Sequence, residues 1–62
     1  MGVALTERER QIYLLVIAAR SNKQMAAELG ISVHTVRFHV ANLLHKFHVS
    51  DRLTLLSSLL EG

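Results

Sequence analysis

The side chains with most chemistry to offer lie between Ser21 and Arg52. Arg37, unless it is simply a solvated surface charge, carries a planar guanidinium fork that can donate two parallel hydrogen bonds. That geometry matches O6 and N7 of guanine. Phe38, beside it, suits a thymine methyl, unless it folds back on the domain surface. Ala41, one turn on, is small enough to let a helix lie close to base edges. Asn22, Lys23, Thr35, Lys46 and Arg52 suit phosphate oxygens, which set affinity and register but carry little sequence information. Free N–H groups at a helix start beside Asn22 and Lys23 would add to such a site. For Lys46 and Arg52 a structural ion pair or a helix-terminal charge is an equal alternative. Asn42 and His45 offer a phosphate contact at most. These residues describe a surface that reads double-stranded DNA.

Other chemistry finds little footing. No nucleophile–base motif, glycine-rich phosphate loop or paired carboxylates appears, so the pattern is not that of an enzyme. The four histidines are spaced by five, six and three residues, and no cysteine or ligand-spaced carboxylate joins them. No metal or other cofactor is expected. Zero cysteines exclude a disulfide framework and fit a reducing cytoplasm. The apolar run from Ile12 to Ala19 is far shorter than the roughly 20 residues of a membrane helix. The formal net charge is only +2, but it is unevenly spread. From Arg20 to Arg52 five basic residues face two acids, Glu28 and Asp51, and all four histidines fall there. That is the electrostatic footprint of a nucleic-acid binder.

The elements that must position these groups are helices. Apolar residues recur at helical spacing almost throughout, and the chain has no proline. With 62 residues it makes one domain, which buries only about 60% of the surface its unfolded form exposes. Helices are expected at 7–19, 22–29, 33–47 and 51–60, giving a compact all-α, four-helix domain. Each has a cap in register: Thr6 with Glu9, Ser21 with Gln24, Ser32, and Ser50 followed by Asp51. Ile12, Leu15, Val16 and Ala19 form the inner face of the first helix. Met25, Ala26, Leu29 and Ile31 continue the core. Val36, Val40, Leu43, Leu44, Phe47, Leu55, Leu56 and Leu59 complete it. The second and third helices make a helix-turn-helix: Ala26 permits a close crossing, Gly30 takes positive φ, and Val36 anchors the angle. His34, Arg37, Phe38, Ala41, Asn42 and His45 then face outward, on a helix able to enter a major groove.

From Leu5 to Leu59 the chain resembles the LuxR-type (GerE or NarL/FixJ-type) helix-turn-helix. The likeness rests on LTERE at 5–9, SNKQMA at 21–26, LGISVHTVRFH at 29–39, Asn42 and KFHVSDR at 46–52. It implies a bacterial transcription regulator, with residues 1–62 as one DNA-binding domain. Such domains commonly form the C-terminal output of a longer protein. The implied partners are an upstream receiver or ligand-binding domain and RNA polymerase. In this family the positions of Arg37, Phe38 and Ala41 most often reach base edges, and the position of His39 packs beneath them. Three departures stand out. Ala19 and His48 occupy places where the family often has glycine, so the first helix is expected to end differently here. Leu14 and Ile17 are more apolar than is usual.

Helix 4 carries a second stripe, Leu53, Ser57 and Leu60, beside its core-facing leucines. A small residue between two leucines allows close helix approach. It points to a homodimer on DNA, unless Leu53 and Leu60 merely extend the core. The rival reading is a protein-interaction module built on the outer apolar side of helix 1, at Leu14, Ile17 and Ala18.

Overall fold

The computed structural model describes residues 3–61, with side chains described for residues 3–58. Four helices follow in order: α1 (Glu7–Ile17), α2 (Asn22–Leu29), α3 (Val33–Lys46) and α4 (Arg52–Glu61). Three begin at the caps the sequence pattern marks. Thr6 Oγ1 accepts the Glu9 amide at 3.1 Å, and Glu9 Oε1 accepts the Thr6 amide at 2.9 Å. Ser21 and Gln24 repeat this reciprocal box at 3.1 and 2.9 Å. Ser32 Oγ accepts the Thr35 amide at 3.0 Å. Each pair satisfies donors that a helix start would otherwise leave bare.

The fourth cap is a correction. Asp51, not Ser50, caps α4: its Oδ1 accepts the Thr54 amide at 2.8 Å. The helix begins at Arg52, so Asp51 occupies the capping position and Thr54 the third helical one. A carboxylate there accepts an amide hydrogen and also faces the positive end of the helix dipole.

The end of α1 differs from expectation in two ways. The helix stops at Ile17, and Ala19 is exposed instead of lying in the core. The i+7 spacing from Ile12 assumes helical backbone as far as Ala19, yet Ala19 has φ +62°. The family's left-handed terminus is nevertheless kept. The Ala19 amide donates to the Val16 carbonyl at 2.9 Å, and the Arg20 amide to the Leu15 carbonyl at 3.0 Å. These two bonds form a Schellman motif. The same pair closes α3, where His48 (φ +58°) donates to His45 and Val49 to Leu44, both at 3.1 Å. Gly30 ends α2 at φ +69°. A Cβ at Gly30 would meet nothing within 4 Å, so the backbone angle alone calls for glycine.

Ala19 therefore carries strain that glycine would not. The left-handed region costs an L-residue about 1–2 kcal/mol. Greater freedom of glycine in the unfolded chain returns about 0.4–1 kcal/mol of that. The difference predicts that Ala19→Gly stabilises the domain by roughly 1 kcal/mol, raising Tm by about 4–8 °C. Thermal unfolding followed by circular dichroism checks it; a lower Tm would be the wrong sign.

The core is Ile12, Val16, Met25, Ala26, Val36, Val40, Leu43 and Leu55, all buried. Helix α3 packs against both α1 and α2. The Tyr13 ring stacks on Phe47 at 5.4 Å between centroids, joining α1 to the end of α3. A buried acid, Glu9, makes a second link between the same two helices. Glu9 Oε1 accepts Lys46 Nζ at 2.6 Å, and the same ammonium donates to the Ala4 carbonyl at 3.0 Å. Lys46 is thus fixed as a structural partner of α1, the alternative set beside its phosphate role.

Hydrogen bonds from Lys46 and from the Thr6 backbone hold the Glu9 carboxyl below its ordinary pKa. The Thr54 amide does the same for Asp51, and Arg10 for Glu7. In each case the folded state binds protons less readily than the unfolded one. Stability is therefore intact above the ordinary carboxylate range and falls as acid protonates the folded carboxylates, from about pH 5 downward. Urea midpoints between pH 7 and pH 3 should be flat and then drop. Glu9→Gln should lower the plateau and shrink the drop. An acid arm of equal size in the variant would remove Glu9 as a cause.

Candidate nucleic-acid interface

The outward face of α3 is the one the helical spacing selects. His34, Arg37, Phe38, Ala41 and His45 are exposed, and Asn42 is half-buried. Phe38 is 61% exposed, so it does not fold back on the domain. Its ring lies 5.6 Å from that of His39 between centroids, steeply inclined at 65°, and His39 is half-buried. Val36, Val40 and Leu43 on the opposite side are buried, which fixes the helix rotation.

Charge on this face is one-sided. Helix α3 contains no Asp or Glu. Among the described residues no carboxylate pairs with Arg37 or Lys23, whereas Arg10, Arg20 and Lys46 hold Glu7, Glu28 and Glu9. An exposed guanidinium without a protein partner keeps all its donors for a ligand. The helix also ends on His45 and Lys46.

The expected phosphate ligands divide. Lys23 is exposed at the start of α2. Thr35 is half-buried, with its hydroxyl 2.9 Å from that of Ser32 in the first turn of α3. Asn22 and Arg52 are brought together, since Arg52 Nη2 donates to Asn22 Oδ1. Arg52 Nη1 also lies 3.5 Å from the Arg20 carbonyl. Arg52 thereby ties the start of α4 to the start of α2, while retaining N–H groups for another acceptor. Among the described residues no cluster of three or more metal-ligating side chains occurs.

The stripe on α4 is partly visible. Leu53 is 75% exposed and Ser57 is exposed. Leu53 therefore does not extend the core. Leu60, like Leu59 of the expected core, has its side chain outside the described ones. Leu14 and Ile17 of α1, and Ala18 that follows it, are exposed, as their spacing predicts.

Two features escaped the sequence pattern. One is the inward turn of Glu9, which capping alone does not show. Its spacing of three and seven from Ile12 and Val16 places it on the buried face of α1, a usable signal. The other is the Tyr13–Phe47 stack, which joins residues far apart in the chain and leaves no local trace.

Residues 3–59 match the family described as bacterial regulatory proteins, luxR family. The transcriptional regulatory protein LiaR of Bacillus subtilis is 43% identical over 49 residues, covering 79% of this chain. The response regulator protein VraR of Staphylococcus aureus is 46% identical over 48 residues, covering 77% of it. The chain spans 23% of the length of each of these relatives. Among the described residues no helix is long and apolar enough to cross a membrane. An all-α helix-turn-helix whose third helix carries no acid, matched almost end to end, leads to one assignment: the chain belongs to the LuxR family of bacterial regulatory proteins, a family of DNA-binding transcription regulators and not of enzymes.

Proposed function

We propose that α3 enters the major groove of double-stranded DNA and reads its sequence there. The observation that carries this is the acid-free outer face of α3, with Arg37 unpaired among the described residues and Phe38 exposed. In this reading Arg37, Phe38 and Ala41 meet base edges. Lys23, Asn22 and Thr35 hold phosphates at the helix starts, and Arg52 adds a contact from α4. Lys46 stays with Glu9 and keeps the C-terminal end of α3 in place. The domain is the output module of a longer cytoplasmic regulator, consistent with the fraction of LiaR and VraR that it spans. A receiver or ligand-binding domain would supply the signal, and RNA polymerase would receive it.

Selection of bound duplexes from a random pool, followed by titration across salt, tests the reading. Each neutralised phosphate contributes a log–log slope of about −0.9. A preferred sequence and a steep slope are expected. A flat slope would favour the rival use of the exposed Leu14 and Ile17 on a protein partner.

Two copies would occupy a two-fold site through the Leu53, Ser57 and Leu60 stripe, reading half-sites about 34–36 Å apart. Because Leu53 is 75% exposed, Leu53→Glu should leave the fold intact. Affinity for a single half-site should survive while cooperative occupancy of the full site drops. Unchanged cooperativity would move the contact elsewhere, most plainly to the outer face of α1.

A further inference from the structure

We propose that Phe38 reads the 5-methyl group of a pyrimidine, so that 5-methylcytosine acts as thymine does at one position of the target. This rests on the DNA reading above and names the base feature that one of its residues recognises.

The chain has three aromatic rings besides its histidines. Tyr13 and Phe47 cover each other, whereas Phe38 remains 61% exposed in the middle of the polar face. Its neighbours outward are Arg37, His34 and Ala41, with no carboxylate in the helix. That charge pattern fits a polyanion better than an apolar protein groove. In the major groove, base edges present nitrogen and oxygen donors and acceptors, with a single apolar exception, the C5 methyl of thymine. A phenyl ring against any other edge strips water from polar groups and gives them no partner. Against the methyl it buries apolar surface on both sides. Methylation of cytosine places the same group at the same ring position, and uracil lacks it.

The position follows from the helix. Arg37 and Phe38 are adjacent, and a helix rises about 1.5 Å per residue while base pairs are spaced about 3.4 Å. The methyl should lie within about two base pairs of the guanine that Arg37 contacts.

The test begins from the duplex selected out of a random pool. Each thymine is replaced in turn by deoxyuridine, and cytosine is compared with 5-methylcytosine at the same positions. One methylene is worth about 0.8 kcal/mol, or about fourfold in Kd. At one position per half-site, loss of the methyl should weaken binding by about that factor, and cytosine methylation should strengthen it likewise. Phe38→Ala should lose both effects while keeping its salt dependence, and its thermal transition should match wild type. Equal affinity for thymine and uracil everywhere would overturn the proposal. So would an unchanged methyl effect in Phe38→Ala, which would give the ring to a protein partner. A pool that yields no preferred sequence would overturn the DNA reading itself, and this inference with it.

Discussion

Val36→Asp should unfold the domain. Val36 is fully buried in α3. Replacing it forfeits about 1.5–3 kcal/mol of apolar burial. The carboxylate adds a desolvation cost of several kcal/mol, or becomes protonated at a comparable cost. Lys46, Arg20 and Arg10 already pair with Glu9, Glu28 and Glu7, Arg52 donates to Asn22, and Arg37 and Lys23 are exposed to solvent, so a carboxylate at the buried position meets no cation without rearrangement. Against these losses stands a small total. At about 0.05–0.15 kcal/mol per residue, 62 residues give roughly 3–9 kcal/mol. The substitution removes most or all of it. Val36→Ala, at about 2 kcal/mol, should lower Tm but leave a cooperative transition. Circular dichroism melts and amide chemical-shift dispersion distinguish the two. A cooperative melt of Val36→Asp at the wild-type temperature would show that Val36 does not hold α3 in place.

The same residue marks what a one-dimensional pattern can and cannot reveal. Val36, Val40 and Leu43 repeat at helical spacing, so the buried side of α3, and with it the exposed side, is legible without coordinates. The capping boxes at Thr6 and Ser21 are local too, each closed over three residues. Ala19 is a different case. Local propensity argues against positive φ there, yet the chain adopts it. Between the end of α1 at Ile17 and the start of α2 at Asn22 there are four residues in which to reverse direction. The left-handed turn achieves this while satisfying the Val16 and Leu15 carbonyls. Packing of α1 and α2 on α3 overrides a strain of about 1–2 kcal/mol. The pattern marks Ser50 as the cap of α4, yet the helix starts one residue later and Asp51 takes the role, a shift of one position that residue types alone do not resolve. The Glu9–Lys46 pair spans 37 residues and exists only once α1 lies against the end of α3. Its consequence for the site is direct: Lys46 gives two of its three donors to Glu9 and Ala4, whereas Arg37 and Lys23 have no carboxylate partner among the described residues.

That redistribution sets the sharpest expectation for binding. Arg37→Ala should weaken the preferred duplex by about 1–3 kcal/mol, roughly 5- to 150-fold, and relax the preference at one base pair. The reason is geometric: two parallel donors match guanine and no other base edge, so removing them erases a distinction as well as a contact. Arg37 is exposed and unpaired among the described residues, so the fold should not suffer. Lys23→Ala should behave differently. Its ammonium is a point charge at a helix start, equally useful on any sequence. Its loss should weaken preferred and random duplexes by the same factor and make the salt slope shallower by about one unit. Lys46→Met serves as the contrast. Its ammonium is already bound by Glu9 and Ala4, so the main change should appear in Tm, with little change in salt slope. Titrations of the three variants on preferred and random DNA at several salt concentrations separate these roles. If Arg37→Ala and Lys23→Ala lost affinity equally on both duplexes, neither residue would be reading a base. The specificity would then have to come from DNA shape or from another element of the domain.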